Sequence, residues 1–219
     1  MPVLVKICGI TSGDAADAAV RAGADFAGLM FHPKSPRNVD MAQAAALSHR
    51  LRGRVRLVAV MSDPADETLG AVIGAMKPDF IQLHGVETAA RVGAIRSRFG
   101  VPVMKVISVA DAGDLARAAA YEDAADMLMF DAKAPVGAAR EGGHGAAFDW
   151  QILRGRKFQK PWLLAGGLNM ENVARAIRAC GAPGVDVSSG VETAPGRKSP
   201  EMIAAFVSAA RNAQFGAAA

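Results

Sequence analysis

The sequence predicts an α/β chain that closes into a single-domain (β/α)8 barrel, and three observations carry that prediction. Eight short apolar runs recur along the 219 residues, with starts spaced roughly every 20 to 35 positions. Amphipathic stretches of helical period lie between them. No change of composition and no linker interrupts the repetition, as expected of one βα array sharing one core. Eight βα units close most economically into a barrel. A doubly wound open sheet is the alternative.

The elements follow in order. Strand Val3–Cys8 alternates: if Val5 and Ile7 face the helices, Lys6 and Cys8 face the interior. The first helix ends in RAGAD (21–25), where Gly23 suits a left-handed turn. Strands Phe26–Phe31, Arg56–Met61 and Phe80–His84 come next. Leu69, Val72, Ile73 and Met76 form a helical stripe between the last two, and Thr88, Val92, Ile95 and Phe99 form another after them. Strands Val103–Ile107 and Met127–Asp131 precede a long segment, Ala134–Ala147, that reads as a mobile loop able to cover a substrate. After strand Trp162–Ala165, Asn169 with Glu171 and Asn172 marks the start of a helix striped by Val173, Ala176, Ile177 and Cys180. Strand Val185–Ser188 is last. Ser199, Pro200 and Glu201 then supply an N-cap, a proline at the first helical position and first-turn charge. Ile203, Phe206, Val207 and Ala210 stripe that helix. Residues 1–213 make the domain, and 214–219 read as a flexible tail.

Composition narrows the function classes. Half the residues are hydrophobic, enough for a full core without staples. There is no signal peptide and no run long enough to span a membrane, and two cysteines make no disulfide framework, so a reducing cytoplasm is the expected home. The net charge of +4 is modest. The basic runs HRLRGRVR and RGRKFQK lack interleaved aromatics, which argues against nucleic acid and leaves a small anionic substrate as a partner. The four histidines are scattered, with no metal-ligand spacing. No dinucleotide, Walker or nucleophile-elbow motif appears, so no cofactor is expected.

In such a barrel the chemistry gathers at the carboxyl ends of the strands. The polar residues there are Cys8, Arg37 in FHPKSPRNV, Gln82 and His84 in IQLHG, and Asp131 in MLMFDAKAP. Asp131 shares a face with Met129, and Asp186 shares one with Ser188. Gly166, Gly167 and the SSG triplet Ser188, Ser189 and Gly190 suit a phosphate, which close backbone N–H groups and hydroxyls can hold. Blander roles stand beside these: a packed thiol for Cys8, a cap or ion pair for Asp131, packing or hydrogen bonding for His84, tight turns for the glycines. Cys180, on an apolar helix face, reads as a small hydrophobe.

Taken together, VKICGIT, FHPKSPR, IQLHG, MLMFDAKAPVGAAREGGHGAAFDW, LLAGGLNMENV and GVDVSSGVETAPGRKSPEMI resemble the phosphoribosylanthranilate isomerases of tryptophan biosynthesis, in order from the first strand to the last helix. The resemblance implies a TIM barrel without a cofactor that catalyses an Amadori rearrangement; no metal is expected from the histidine spacing, and monomer or homodimer is left open by the sequence. It implies Cys8 as general base and Asp131 as general acid, and Arg37 on the anthranilate carboxylate. Gly166, Gly167, Ser188, Ser189 and Gly190 would hold the phosphate, with Asp186 near the sugar hydroxyls. A free thiol of pKa ~8.5 is only about 3% thiolate at pH 7, and Lys6 on the same strand face is a source of the needed downward shift. One departure is visible: the loop reads GGHG, with His144 where the family has a small hydroxyl residue. The related histidine-pathway isomerases carry an aspartate where this chain has Cys8. A non-catalytic phosphosugar-binding protein would need neither Cys8 nor Asp131.

Overall fold

Each apolar run becomes a parallel strand: β1 (Leu4–Cys8), β2 (Phe26–Met30), β3 (Arg56–Met61), β4 (Phe80–Leu83), β5 (Val103–Val109), β6 (Met127–Ala132), β7 (Trp162–Leu164) and β8 (Gly184–Val187). They pair in chain order, and β8 returns to β1 to close the barrel. The computed structural model describes residues 2–133 and 148–213. The predicted covering loop, its His144 and the predicted tail lie outside the described residues.

Strand alternation sorts the side chains into two cores. Val5, Ile7, Phe130, Val185 and Val187 pack outward against the helices. Cys8, Val58, Met104, Met129 and Leu163 fill the barrel interior. Every facing predicted from the period-2 pattern is therefore observed.

The helices are α1 (Gly13–Arg21), α2 (Met41–Leu51), α3 (Asp66–Met76), α4 (Ala89–Phe99), α5 (Val173–Cys180) and α6 (Pro200–Asn212). Gly23, with φ +78°, ends the first of them as predicted. Ser199 caps α6 by accepting from the Met202 N–H at 3.2 Å. Thr88 is not part of the α4 stripe but its N-cap, accepting from Arg91 N–H. The Asn169 side chain accepts from the N–H groups of Glu171 and Asn172, so it caps the turn before α5, which begins only at Val173.

Two connections depart from the regular pattern. After β5 the chain forms a 3-10 helix, Asp114–Tyr121, whose buried residues Leu115 and Ala118 stand three apart and so suit three residues per turn. After the undescribed segment a short 3-10 turn, Trp150–Leu153, stands alone; Gly155 (φ +70°) and Pro161 leave little chain for a helix before β7. A hairpin of β9 (Glu192–Ala194) and β10 (Arg197–Lys198), unpredicted from sequence, follows β8.

Candidate active site

The barrel register brings β1 and β8 together at their charged residues. Lys6 lies opposite Asp186, and its Nζ donates to Asp186 Oδ1 at 2.6 Å, with Lys6 wholly buried. Two residues on, Cys8 lies opposite Gly28 of β2. A Cβ on Gly28 would sit 3.2 Å from both Cys8 Sγ and Lys6 Nζ, so glycine is what leaves room for the thiol and ammonium.

The thiol's electrostatics are balanced. Burial pushes Cys8 above its ordinary value, Lys6 pulls it back, and Asp186 pushes it up again. The net direction is upward, so the sequence expectation holds for the sign of the Lys6 effect but not for the outcome. Lys6 would be lowered by burial alone, yet Asp186 and Cys8 hold it above the usual ammonium range.

Gly9 follows Cys8 with φ +76°, a conformation that disfavours other residues. It also sits under the Arg37 side chain: an added Cβ would lie 2.5 Å from Arg37 Cδ. The Cys–Gly pair thus turns the chain out of β1 and makes a seat for the arginine.

Across the mouth, Asp131 ends the inward face of β6. Its Oδ2 is 3.3 Å from Nε2 of His84, just past the end of β4. Cys8, Arg37, Gln82, His84, Asp131, Asp186 and Ser188 all line one cleft of about 730 Å³, open mouth included. A smaller hollow of about 320 Å³ shares Asp131, Asp186 and Ser188 and adds Gly166, Gly167 and Ser189. Gly166 (φ +90°) passes so close to β6 that a Cβ would lie 2.5 Å from Ala132. Within this space Ser188 Oγ and Gln82 Oε1 are buried without a hydrogen-bond partner among the described residues.

Residues 5–209 match the family model described as N-(5'-phosphoribosyl)anthranilate (PRA) isomerase. The chain belongs to that family. The N-(5'-phosphoribosyl)anthranilate isomerase of Paramagnetospirillum magneticum is 55% identical over 211 residues, covering 96% of this chain and 98% of that one. The crystal structure of phosphoribosyl anthranilate isomerase from Thermotoga maritima is similar at TM-score 0.86 and 35% identity, covering 96% and 99% of the two chains. Another isomerase structure, in complex with reduced 1-(o-carboxyphenylamino)-1-deoxyribulose 5-phosphate, matches at TM-score 0.82 and 33% identity over 96% and 99%.

In this phosphoribosylanthranilate isomerase the cleft holds Cys8, Arg37, Asp131, Asp186 and Ser188, the smaller hollow adds Gly166, Gly167 and Ser189, and Gly190 lines neither. Gly190 passes against the Leu168 carbonyl, where no Cβ fits. Cys180 lies away from the cleft on α5, donating to Ala176 O, and burial pushes its thiol up to about 11. Among the described residues no cluster of three or more His, Cys, Asp or Glu could hold a metal ion.

Sequence reasoning missed Glu192 and Lys198. Arg37 donates through Nε to Glu192 Oε1 (2.7 Å) and through Nη2 to Oε2 (2.8 Å). Lys198 Nζ donates to Glu192 Oε1 (3.0 Å) and to the Ser188 carbonyl (3.1 Å). The signal was present as ETAPGRK, a Pro-Gly turn flanked by opposite charges, which is a hairpin pattern.

Proposed function

We propose that this isomerase converts N-(5'-phosphoribosyl)anthranilate to 1-(2-carboxyphenylamino)-1-deoxyribulose 5-phosphate with Asp131 as general acid and Cys8 as general base. The reaction is the Amadori rearrangement of tryptophan biosynthesis, and the family supplies it. The convergence of Cys8 and Asp131 on one cleft supports the assignment of the two roles.

In this reading Asp131 gives its proton to the furanose ring oxygen as the C1′–O bond breaks, leaving an iminium between C1′ and nitrogen. The Cys8 thiolate then takes the proton from C2′, and the electron pair of that C–H bond neutralises the iminium to an enolamine. Tautomerisation moves the enol proton to C1′ and yields the ketone. Two placed side chains suffice for both transfers. His84, 3.3 Å from Asp131, orients the acid. The phosphate sits in the smaller hollow among Gly166, Gly167, Ser188 and Ser189, where the free Ser188 Oγ supports the assignment, and Gly190 serves by letting the backbone turn pass close. Asp186, between hollow and cleft, is placed for the sugar hydroxyls, and Arg37 for the anthranilate carboxylate.

Monomer and homodimer are the two assemblies this reading carries. A cytoplasmic location completes the reading, supported by two free cysteines and, among the described residues, no helix long and apolar enough to cross a membrane.

The test is turnover of substrate made in situ from anthranilate and phosphoribosyl pyrophosphate by the preceding enzyme, followed as decay of anthranilate fluorescence above spontaneous hydrolysis. Cys8→Ser and Asp131→Asn should each lower kcat by roughly 10²–10⁴-fold while folding normally. Wild-type turnover in either variant would remove that residue from its role.

A further inference from the structure

Glu192 and Lys198 lie outside the acid–base pair and the phosphate hollow, yet both are nearly fully buried beside the cleft. The Arg37 and Glu192 side chains are 6% and 4% exposed, and that of Lys198 is wholly buried. Burying three charges is costly unless their geometry is used. Here it fixes one object. Glu192 occupies the Nε and Nη2 edge of the Arg37 fork, so the other edge, made of the two N–H groups of Nη1 and the second N–H of Nη2, is what the guanidinium has left for a ligand among the described residues.

The hairpin carrying Glu192 is itself pinned. The Gly196 carbonyl accepts from Thr11 Oγ1 at 2.8 Å, and Gly196 N–H donates to Glu192 Oε2 at 3.3 Å. Gly196, at φ +80°, passes the Pro36 carbonyl so closely that no Cβ fits, which ties the hairpin to the residue preceding Arg37. Arg37 is thus held from below by Gly9 and from the side by Glu192.

The charge balance is selective too. Arg37, Lys198 and Glu192 together carry one net positive charge, matched to a monoanion. Glu192 beside the fork disfavours a dianionic phosphate there and steers the phosphate to the other end of the cleft.

We infer that Glu192 is the positioning residue for substrate selection: by holding Arg37 in one orientation it sets the enzyme's demand for a carboxylate on the aromatic end of the substrate. The inference rests on the reading of Arg37 as the carboxylate-binding residue.

Two ligands test it: reduced 1-(o-carboxyphenylamino)-1-deoxyribulose 5-phosphate and the same compound lacking the carboxylate, with Kd measured calorimetrically. Wild type should prefer the carboxylated ligand by roughly tenfold or more, as a charge-assisted hydrogen bond implies. Glu192→Gln, whose amide presents N–H to N–H, should bring that preference to within about threefold while leaving the other ligand's Kd within about twofold. With the natural substrate, KM should rise more than kcat falls. Arg37→Ala should abolish the preference. If Glu192→Gln keeps the wild-type preference, or weakens both ligands equally, the inference falls while an Arg37→Ala that has lost the preference keeps the Arg37 reading standing. If Arg37→Ala retains the preference, the Arg37 reading falls and takes the inference with it. Should Glu192→Gln fail to fold, Glu192→Asp keeps the charge but shortens the reach; a wild-type preference there overturns the inference equally.

Discussion

Cys8 is buried between a lysine that favours its thiolate and an aspartate that opposes it, and this balance is a prediction about pH. A raised thiol pKa means the thiolate fraction, and with it kcat/KM, climbs as pH rises through and beyond the neutral range. Lys6→Met removes a group that lowers that pKa, so the rising limb should move to higher pH. A limb that stays in place in the activity–pH profile would show that Lys6 does not tune the thiol. The residues themselves were legible in the sequence: strand alternation put Lys6, Cys8, Asp131 and Asp186 on the interior face. Their pairing was not. The Lys6–Asp186 contact spans 180 positions and depends on barrel register, which no local pattern encodes.

Elements were legible to the degree that they follow a simple period. The eight parallel strands and the four helices α3–α6 do, and α1 was read from its end at RAGAD; α2, the 3-10 helix after β5 and the β9–β10 hairpin were not read. The helix at Asp114–Tyr121 is Ala-rich and buries two side chains at a spacing of three, so a search for stripes at three and four had little to find. The hairpin is short, and its two strands bury mainly charged side chains where apolar alternation would mark a strand. Capping, by contrast, was read well at α6. Ser199→Ala deletes the oxygen that accepts from Met202 N–H and should cost about 1 kcal/mol, or about 2–4 °C in Tm by calorimetry. Turnover in the folded state should be unchanged, since Ser199 lines neither hollow.

At the scale of the whole molecule, closure is the central event. β1 pairs with β8 at four positions, from Leu4↔Gly184 to Ile7↔Val187, and without that seam the sheet keeps two open edges. A chain ending at residue 183 would retain seven strands, Cys8, Arg37 and Asp131, yet it should show no cooperative thermal transition and no turnover. A sharp transition in that truncation would mean the barrel tolerates an open seam.

Among the described residues the seam gives Lys6 its one ion-paired carboxylate, and this bears on how the protein is made. Asp186 is translated some 180 residues after Lys6. A partly synthesised chain therefore holds an ammonium that has no counter-charge and resists burial in the barrel interior. The floor of the active site becomes habitable only when β8 has left the ribosome. Addition of β8 and creation of the catalytic pocket are then a single step, and a chain terminated before β8 should stay open to proteolysis instead of persisting as a folded, inactive impostor.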